Sequence, residues 1–374
     1  MNYLQKRTWA EISLGNLEHN YNTIKDRLPA GTGIICVVKA DAYGHGAVEV
    51  SRRLEKCGAD YLAIACLDEA LELRRNGVTL PILILGHTPP EYVDILLEND
   101  LTQTVSCEAK AKEYSDAAKA LGGTLRIHIK LDTGMSRLGY LCDGEHFDEG
   151  VKNVVSTGRL PNLDVEGVYT HFSSAEDSDE ESIAYTKQQY SLFRRVIDEA
   201  EKQGVKFRIH HCANSLAVLK FPETRLDAVR PGRLLYGYGD RGEWGLKPVM
   251  KLVSTISTIK YYDPGTSISY SRKFVTTERT RMGVVAIGYA DGLQRSLSNK
   301  ISLSVGGRLA PQRGNICMDM CMIDLNGIPE AQVGSEVEIF GESISVEDVA
   351  DAAGTVPHEI LSTVSKRVPR IYKV

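Results

Sequence analysis

The stretch that decides the fold runs from residue 33 to residue 106, where short apolar segments alternate with longer amphipathic ones. It opens with GIICVVKA (residues 33–40), continues with GAVEVSRRLEKCG (46–58) and then reaches DYLAIA (60–65). Uninterrupted apolar residues in the first and third segments indicate strands that are buried on both faces of a sheet. Apolar residues spaced by three and four in the second segment indicate an amphipathic helix. This alternation predicts parallel strands joined by helices.

The same alternation continues to about residue 240. The predicted strands are GIICVVKA, DYLAIA, PILILG, LTQTVS, TLRIHIKLD, LDVEGVYTHF, KFRIHH and LDAVRPG. Eight strand–helix units over about 200 residues fit a (β/α)8 TIM-like barrel, for which about 250 residues are typical. A doubly wound open sheet is the alternative fold, but no G-x-G-x-x-G motif follows the first strand. The longest predicted helix covers about 180–204.

Helical periodicity fades after residue 240. Strand-like runs such as MKLVSTISTIKYY (250–262) and SEVEIFG (335–341) are separated by Gly, Pro and Asn, which predicts an antiparallel β domain. We therefore predict a barrel domain over 1–240 and a C-terminal β domain over 241–374. Residues 1–14 are predicted to form one more strand, which can pair with the β domain or with the barrel. A last helix is predicted over about His358 to Lys366.

Composition narrows the class of protein. The 374 residues carry a net charge of −5, so no basic stripe indicates nucleic-acid binding. The N-terminus has no signal-peptide pattern, and no apolar run approaches the ~20 residues of a membrane span. The eight cysteines form no C-x-x-C pair or zinc-site spacing, so neither a metal nor disulfides are predicted. A cytoplasmic protein that acts on small molecules is expected.

Polar residues follow the predicted barrel strands, where the catalytic groups of such barrels collect. In strand order these residues are Lys39, Lys130 with Arg137, His171, Asn214 with Ser215, and Arg230 with Gly232. Each has an ordinary structural interpretation: a lysine can extend to the surface, and the arginines can pair with Asp132 or Asp227. Their common placement at the ends of five strands favours a functional site instead.

The residue types at these strand ends indicate a particular chemistry. A desolvated Lys39 can lose its proton and form a Schiff base with an aldehyde. The Ser215 hydroxyl and the backbone amides near Gly232 can bind a phosphate, in a part of the barrel that often does so. A lysine that captures an aldehyde, opposite a phosphate site, predicts pyridoxal phosphate as the cofactor.

The chain resembles the alanine racemase family over essentially its whole length. The motifs that carry the resemblance are VVKADAYGHG (37–46), HCANS (211–215), RPG (230–232), IGYADG (287–292) and GNICMDM (314–320). The resemblance implies a homodimeric, pyridoxal-phosphate-dependent isomerase that interconverts L- and D-alanine by a two-base mechanism. Such an enzyme supplies D-alanine for peptidoglycan.

The resemblance also implies roles for individual residues. Lys39 would hold the cofactor and act as the base on one face of the substrate. The other residues implied in cofactor binding are Tyr43, His171, Asn214, Ser215, Arg230, Gly232, Arg233 and His358. Arg230 would face the pyridine nitrogen, and Arg137 would bind the substrate carboxylate. Lys130 matches a position that is often carbamylated in the family.

The second base implied by the resemblance is Tyr270, in SISYSRKF, which would reach the active site of the partner subunit. A phenol has a pKa near 10, so it needs cationic neighbours, and Arg137 and His171 would polarise this network. Met318 and Asp319 would bind substrate from the same side, and Tyr289 would line the entry path.

One departure from the family pattern leaves two substrates, alanine and serine, as alternatives. The family commonly has a tyrosine where this chain has His358, in VPHEIL. A serine or broad-specificity racemase of the same architecture is therefore the main alternative. A non-catalytic pyridoxal-phosphate-binding protein is disfavoured by Tyr270 and the MDM motif. A decarboxylase is disfavoured because Arg230 stands where such enzymes usually place an acid.

Overall fold

The computed structural model describes residues 7–240 and 242–374. Residues 1–6 of the predicted N-terminal strand and Arg241 at the predicted domain boundary lie outside the described residues. In chain order the strands are β1 (Thr8–Ser13), β2 (Gly33–Val37), β3 (Tyr61–Ile64), β4 (Ile82–Ile84), β5 (Leu101–Val105), β6 (Leu125–Asp132), β7 (Tyr140–Leu141), β8 (Leu163–Tyr169), β9 (Ile209–His211), β10 (Ala228–Val229), β11 (Met250–Tyr262), β12 (Ser267–Ile268), β13 (Phe274–Val275), β14 (Thr280–Val285), β15 (Ser302–Val305), β16 (Arg308–Pro311), β17 (Cys321–Asp324), β18 (Glu336–Phe340) and β19 (Arg370–Lys373).

Helices connect these strands. They are α1 (Leu14–Lys25), the left-handed turn α2 (Lys39–Tyr43), α3 (Ala47–Lys56), α4 (Leu67–Arg75), α5 (Val93–Glu98), α6 (Glu108–Ala120), α7 (Phe147–Gly158), α8 (Glu180–Lys202), α9 (Ser215–Lys220), α10 (Val346–Ala353) and α11 (Pro357–Ser362). Short 3-10 turns cover Pro90–Tyr92, Gly144–His146, Pro222–Thr224, Tyr270–Arg272, Tyr289–Asp291 and Arg295–Leu297.

The parallel strands form the predicted (β/α)8 barrel. Their order is β10-β2-β3-β4-β5-β6-β8-β9, so the last strand pairs with the first. An isolated parallel bridge between Asn214 and Arg230 joins the segment just after β9 to the segment just after β10. The alternative of an open doubly wound sheet is wrong, because β10 returns to pair with β2. The barrel prediction is confirmed.

The second sheet is built mostly from the C-terminal part of the chain. Its order is β16-β15-β18-β11-β1-β19, with β14 paired to β11 and β17 paired to β14. The pairings are antiparallel, as predicted, except for the parallel pair of β1 with β19. The N-terminal strand β1 therefore lies in the sheet of the C-terminal domain, between two of its strands.

The last predicted helix is shorter than expected. It ends at Ser362 rather than at Lys366. The guanidinium of Arg370 donates hydrogen bonds to the carbonyls of Val364, Ser365 and Val368. These carbonyls are satisfied by Arg370 and not by a further helical turn. The chain continues from here into β19.

The buried apolar side chains of β2 fall into two clusters, one on each face of the strand. Ile34 and Cys36 of β2 pack in the main core, whereas Ile35 and Val37 belong to a second, smaller cluster with neighbours on β3, β4 and β10. This division follows from the alternation of side chains along a strand. The interior of the barrel is therefore largely apolar beside these strands. Its polar groups include the Tyr61 hydroxyl of β3, the threonines of β5, and side chains from β6, β8, β9 and the residue after β10.

Candidate active site

A cavity of about 460 Å3 brings together most of the predicted site residues. The predicted residues that line it are Lys39, Tyr43, Lys130, Arg137, His171, Asn214, Ser215, Arg230, Gly232, Arg233 and His358. Most follow the carboxyl ends of barrel strands, whereas His358 comes from α11 of the C-terminal domain. Both parts of the chain therefore contribute to one site.

Lys39 stands at the start of an unusual turn. The next four residues, Ala40 to Tyr43, all have φ between 52° and 54°. This left-handed conformation is costly for residues with a Cβ atom. The Asp41 carboxylate accepts a hydrogen bond from the Ala47 amide at 2.8 Å, and Arg370 donates to the Gly44 carbonyl at 3.0 Å. A strand of the C-terminal domain thus holds the turn that places Lys39 and Tyr43 at the cavity.

The surroundings of Lys39 make its ammonium group less stable than that of an exposed lysine. Burial lowers the pKa of Lys39, the charge of Arg137 lowers it further, and Glu69 opposes the shift. The Glu69 carboxylate accepts hydrogen bonds from the Ala40 and Ala65 amides, both at 2.7 Å. Lys39 is therefore easier to deprotonate than an ordinary lysine, as a nucleophile or base must be.

Lys130 and Arg137 add two more positive charges. Burial and the charges of Arg137 and Arg230 lower the pKa of Lys130 to about 8, against the attraction of Asp132. The Asp132 carboxylate accepts hydrogen bonds from the backbone amides of residues 134–137, at 2.9 to 3.0 Å. Asp132 therefore shapes the loop that carries Arg137. Within residues 7–240 and 242–374, no salt bridge joins Arg137 to Asp132.

Arg230 is fixed on the floor of the cavity. It is only 4% exposed, and it donates to the His211 and Thr170 carbonyls at 2.9 and 2.7 Å. It also donates to His211 Nδ1 at 2.8 Å and lies over the ring of Tyr169. Burial lowers the pKa of Arg230, but a guanidinium keeps its charge in proteins. Its ordinary structural interpretation, an ion pair with Asp227, does not hold, because the Asp227 carboxylate bonds His210.

Hydroxyl and amide groups from the chain after β9 and β10 also line the cavity. The Gly232 amide donates to the Ser215 hydroxyl at 2.9 Å, and the Asn214 side chain accepts from the Ala217 amide at 3.0 Å. A Cβ atom on Gly232 would lie 2.6 Å from the Tyr43 hydroxyl, so only glycine allows this close approach. Burial raises the pKa of Tyr43 to about 12, which keeps its hydroxyl available as a donor. This donor set suits a phosphate.

Two neutral imidazoles complete the wall. Burial and the charge of Arg230 hold the pKa of His171 well below its ordinary range. Burial also lowers the pKa of His358, and Arg233 adds to that effect. The ring centroid of His358 lies 6.4 Å from that of Tyr43. At neutral pH each imidazole therefore offers one donor and one acceptor.

Four predicted site residues do not line the cavity of their own chain. Tyr270, Tyr289, Met318 and Asp319 lie together on the C-terminal domain, and we call them the C-domain patch. Tyr270 is 68% exposed, Met318 53% and Tyr289 42%. The Tyr289 amide donates to the Cys317 carbonyl at 3.0 Å, and the Asp319 carboxylate bonds Arg367 at 2.7 Å.

The backbone around Tyr270 is strained. Ser269, Ser271 and Arg272 have φ of 65°, 60° and 48°. The Asn315 side chain donates to the Tyr270 carbonyl at 2.8 Å, which fixes this segment against the loop that carries Met318. A strained backbone of this kind persists only where the surrounding structure stabilises it. Here the strained segment places the Tyr270 side chain on the surface.

Several cavity residues were missed by the sequence analysis. Tyr169 lines the cavity below Arg230, and Glu176 pairs with Arg233 at its edge. Tyr169 ends β8 two residues before His171, so the alternation of side chains along the strand could have identified it. Glu176 lies in a loop with no pattern to mark it.

No helix in the described ranges is long and apolar enough to cross a membrane.

A closed parallel barrel with a half-buried lysine at the rim, and a β domain that completes the cavity, defines a two-domain barrel enzyme. Comparison with known proteins identifies the particular family. The chain belongs to the alanine racemase family: residues 12–240 match its N-terminal domain and residues 249–372 its C-terminal domain.

Individual relatives match over nearly full length. Alanine racemase 1 of Clostridium acetobutylicum is 42% identical, over 97% of this chain and 95% of the relative. The solved alanine racemase of Clostridium difficile 630 has a TM-score of 0.92 and 40% identity, covering 99% of this chain and 96% of that one. The Bacillus anthracis alanine racemase with bound L-Ala-P has a TM-score of 0.90 and 35% identity, with 99% and 96% covered.

Proposed function

We propose that this chain is an alanine racemase that interconverts L- and D-alanine and supplies D-alanine for peptidoglycan. The observation that carries the proposal is its full-length similarity to alanine racemases, together with Lys39 in a cationic cavity at the barrel rim. A cytoplasmic location stays a prediction.

Pyridoxal phosphate is the cofactor we propose for this cavity. The hydroxyls of Tyr43 and Ser215 and the amides of Gly232 and Arg233 would hold the phosphate. The close approach of Tyr43 to Gly232 and the hydrogen bond from Gly232 to Ser215 bring three of these groups together. Arg230 would donate to the ring nitrogen, and because a guanidinium only donates, that nitrogen would stay unprotonated. When bound, the cofactor would supply an aldehyde and a conjugated ring that withdraws electrons from the substrate.

The residues of the chain would move the proton. Inversion at Cα needs a group on each face, because a single group returns the proton to the side from which it came. Lys39, with its lowered pKa, would act on one face. Tyr270 of the partner subunit would act on the other. Arg137 would bind the substrate carboxylate, and His171 would stay neutral beside it.

We propose a homodimer, which the position of the C-domain patch supports. Tyr270 does not line the cavity of its own chain, yet it is held by a strained and hydrogen-bonded segment. Exposed aromatic and methionine side chains in one place are typical of an interaction surface. We propose that this patch enters the cavity of a second copy, with the partner's Met318 and the partner's Asp319 contacting the substrate and the partner's Tyr289 lining its entry.

Lys130 is proposed to carry a carbamate. Its pKa of about 8 leaves more neutral amine near neutral pH than an ordinary lysine has. The neutral amine attacks CO2, forms an N–C bond and releases one proton, which gives a negatively charged carbamate. That charge would attract Arg137, whereas an ammonium repels it.

The carbamate can be detected by mass. Intact-mass measurement under mild conditions in bicarbonate should show the added mass of one CO2, and Lys130→Arg should lack it. The pKa direction predicts less adduct as the pH falls through about 8, because protonation removes the nucleophile. An unmodified Lys130 amine in bicarbonate at neutral pH contradicts this proposal.

A serine or broad-specificity racemase is the second candidate, because the neutral His358 lies in the cavity wall. Chiral analysis of the products from a panel of L-amino acids separates the two functions. Alanine should be epimerised fastest, and His358→Tyr should lower the serine-to-alanine ratio of kcat/KM by about two- to tenfold, the range of one hydrogen bond. His146→Tyr, before α7, is the matched control. Faster epimerisation of serine would favour the second candidate, and no epimerisation of either would refute both.

A further inference from the structure

A continuous line of buried polar groups runs from the cavity into the barrel. Arg230 contacts His211 Nδ1 at 2.8 Å, and His211 Nε2 contacts His128 Nδ1 at 2.8 Å. His128 Nε2 then contacts the Glu166 carboxylate at 3.1 Å. The two histidines are fully buried, so water does not compete for these contacts.

The two ends of this line determine the protons in its middle. A guanidinium only donates, so His211 Nδ1 must accept and the proton of His211 must lie on Nε2. His211 then donates to His128 Nδ1, which places the His128 proton on Nε2. A carboxylate only accepts, so Glu166 receives that proton. One direction of donation therefore satisfies all three contacts.

We propose that Glu166 is a positioning residue: through His128 and His211 it fixes the hydrogen bond that holds Arg230 in the cavity. The link from Arg230 to the reaction rests on the proposed function. The direction of hydrogen-bond donation within the barrel does not depend on the proposed function.

The surroundings of Glu166 keep it ionised. Burial raises its pKa, but hydrogen bonds from His128 and Tyr61 and the charge of Arg126 outweigh burial, so the pKa lies below its ordinary value. The Tyr61 hydroxyl donates to Glu166 Oε2 at 2.8 Å, and Arg126 and Arg208 lie 3.9 and 3.8 Å from Oε1. The carboxylate is thus a permanent acceptor.

The histidines are held neutral. Burial lowers the pKa of His128 despite the opposing effect of Glu166. Burial and the charge of Arg230 hold the pKa of His211 well below its ordinary range. The local packing also suits this arrangement, because a Cβ atom on Gly167 would lie 2.7 Å from the His128 ring. Each ring therefore has a single proton, whose position the neighbours decide.

Glu166→Gln removes the obligatory acceptor. A glutamine amide can turn its NH2 group towards His128, which reverses both imidazoles and places a His211 N–H against Arg230. Asp164→Asn is the matched control, because Asp164 lies on the same strand and bonds Arg208 at 2.7 Å. That substitution removes a carboxylate at the same end of the barrel without changing the acceptor of His128.

Nitrogen-15 NMR of the histidine rings tests the proposal without cofactor or substrate. In the native chain and in Asp164→Asn, His211 and His128 should each be neutral and protonated on Nε2. In Glu166→Gln both should show a mixture of tautomers. Protonation of His211 on Nδ1 in the native chain would overturn the proposal even if the variant does not fold, and unchanged single tautomers in a folded Glu166→Gln would do the same.

Kinetics with the cofactor-loaded dimer supply the second readout. Arg230 does not bind the substrate in the proposed site, so Glu166→Gln should lower kcat by about two- to tenfold with little change in KM, the range of one hydrogen bond. Asp164→Asn should match the native enzyme. An equal kcat for Glu166→Gln would overturn the role in catalysis. If the native enzyme is itself inactive, the proposed function fails, while the tautomers still decide the internal arrangement.

Discussion

Lys39→Ala should abolish alanine racemisation and the visible absorbance that the bound cofactor gains from its link to the lysine. Lys39 is a half-buried amine of the cavity, its pKa is lowered by desolvation and by Arg137, and the left-handed turn after it sets its position. Loss of a general base alone typically costs about a hundredfold or more in rate. Loss of the covalent attachment of the cofactor adds to that cost. Both readouts come from one titration of the purified chain with pyridoxal phosphate.

Lys56→Ala is the matched control for this experiment. Lys56 is exposed at the end of α3 and does not line the cavity, so its substitution removes a lysine outside the proposed site. It should leave both racemisation and absorbance unchanged. A Lys39→Ala protein that retains the absorbance of a lysine-linked cofactor would refute the assignment of Lys39.

Tyr270→Phe should almost stop racemisation yet preserve proton exchange for one enantiomer of alanine. Without the phenol, Lys39 can still remove and return the proton on its own face, which exchanges Cα–H with solvent but does not invert the centre. We expect racemisation to fall by at least about a hundredfold, the typical loss for a general acid or base. Proton NMR of L- and D-alanine in D2O measures the two exchange rates separately. Because the side chain is 68% exposed, the substitution should cost little stability.

Tyr261→Phe is the matched control, because Tyr261 is also largely exposed on the C-terminal domain. It should behave like the native enzyme. Equal loss of exchange for both enantiomers in Tyr270→Phe would count against two separate bases, and unchanged racemisation would exclude Tyr270 from the reaction.

Much of the fold follows from local pattern. Continuous apolar strands such as GIICVVKA indicate a buried parallel sheet, and polar residues after them fall at one rim because parallel strands end on the same side. For this reason the sequence pattern alone places Lys39, Lys130 and Arg230 near one another. Their chemical roles stay predictions until the variants above are measured.

Other features have no local signal. Four consecutive left-handed residues after Lys39 include no glycine, so no intrinsic backbone preference favours this turn. The contacts of Asp41 and Arg370 stabilise it instead. Similarly, the link from Arg230 to Glu166 joins residues of β6, β8 and β9 to the residue just after β10, and only the closed barrel brings them into line. The position of β1 within the C-terminal sheet also depends on pairing at long range.

The central claim is that this chain is a racemase whose active site is completed by a second copy. Mixed dimers of Lys39→Ala and Tyr270→Phe subunits test it most directly, because each mixed dimer regains one site with both native groups. Random pairing makes half of the dimers mixed, so alanine racemisation should return to about a quarter of the native rate from two inactive parents. A mixture that exchanges subunits but stays as inactive as its parents would contradict the account.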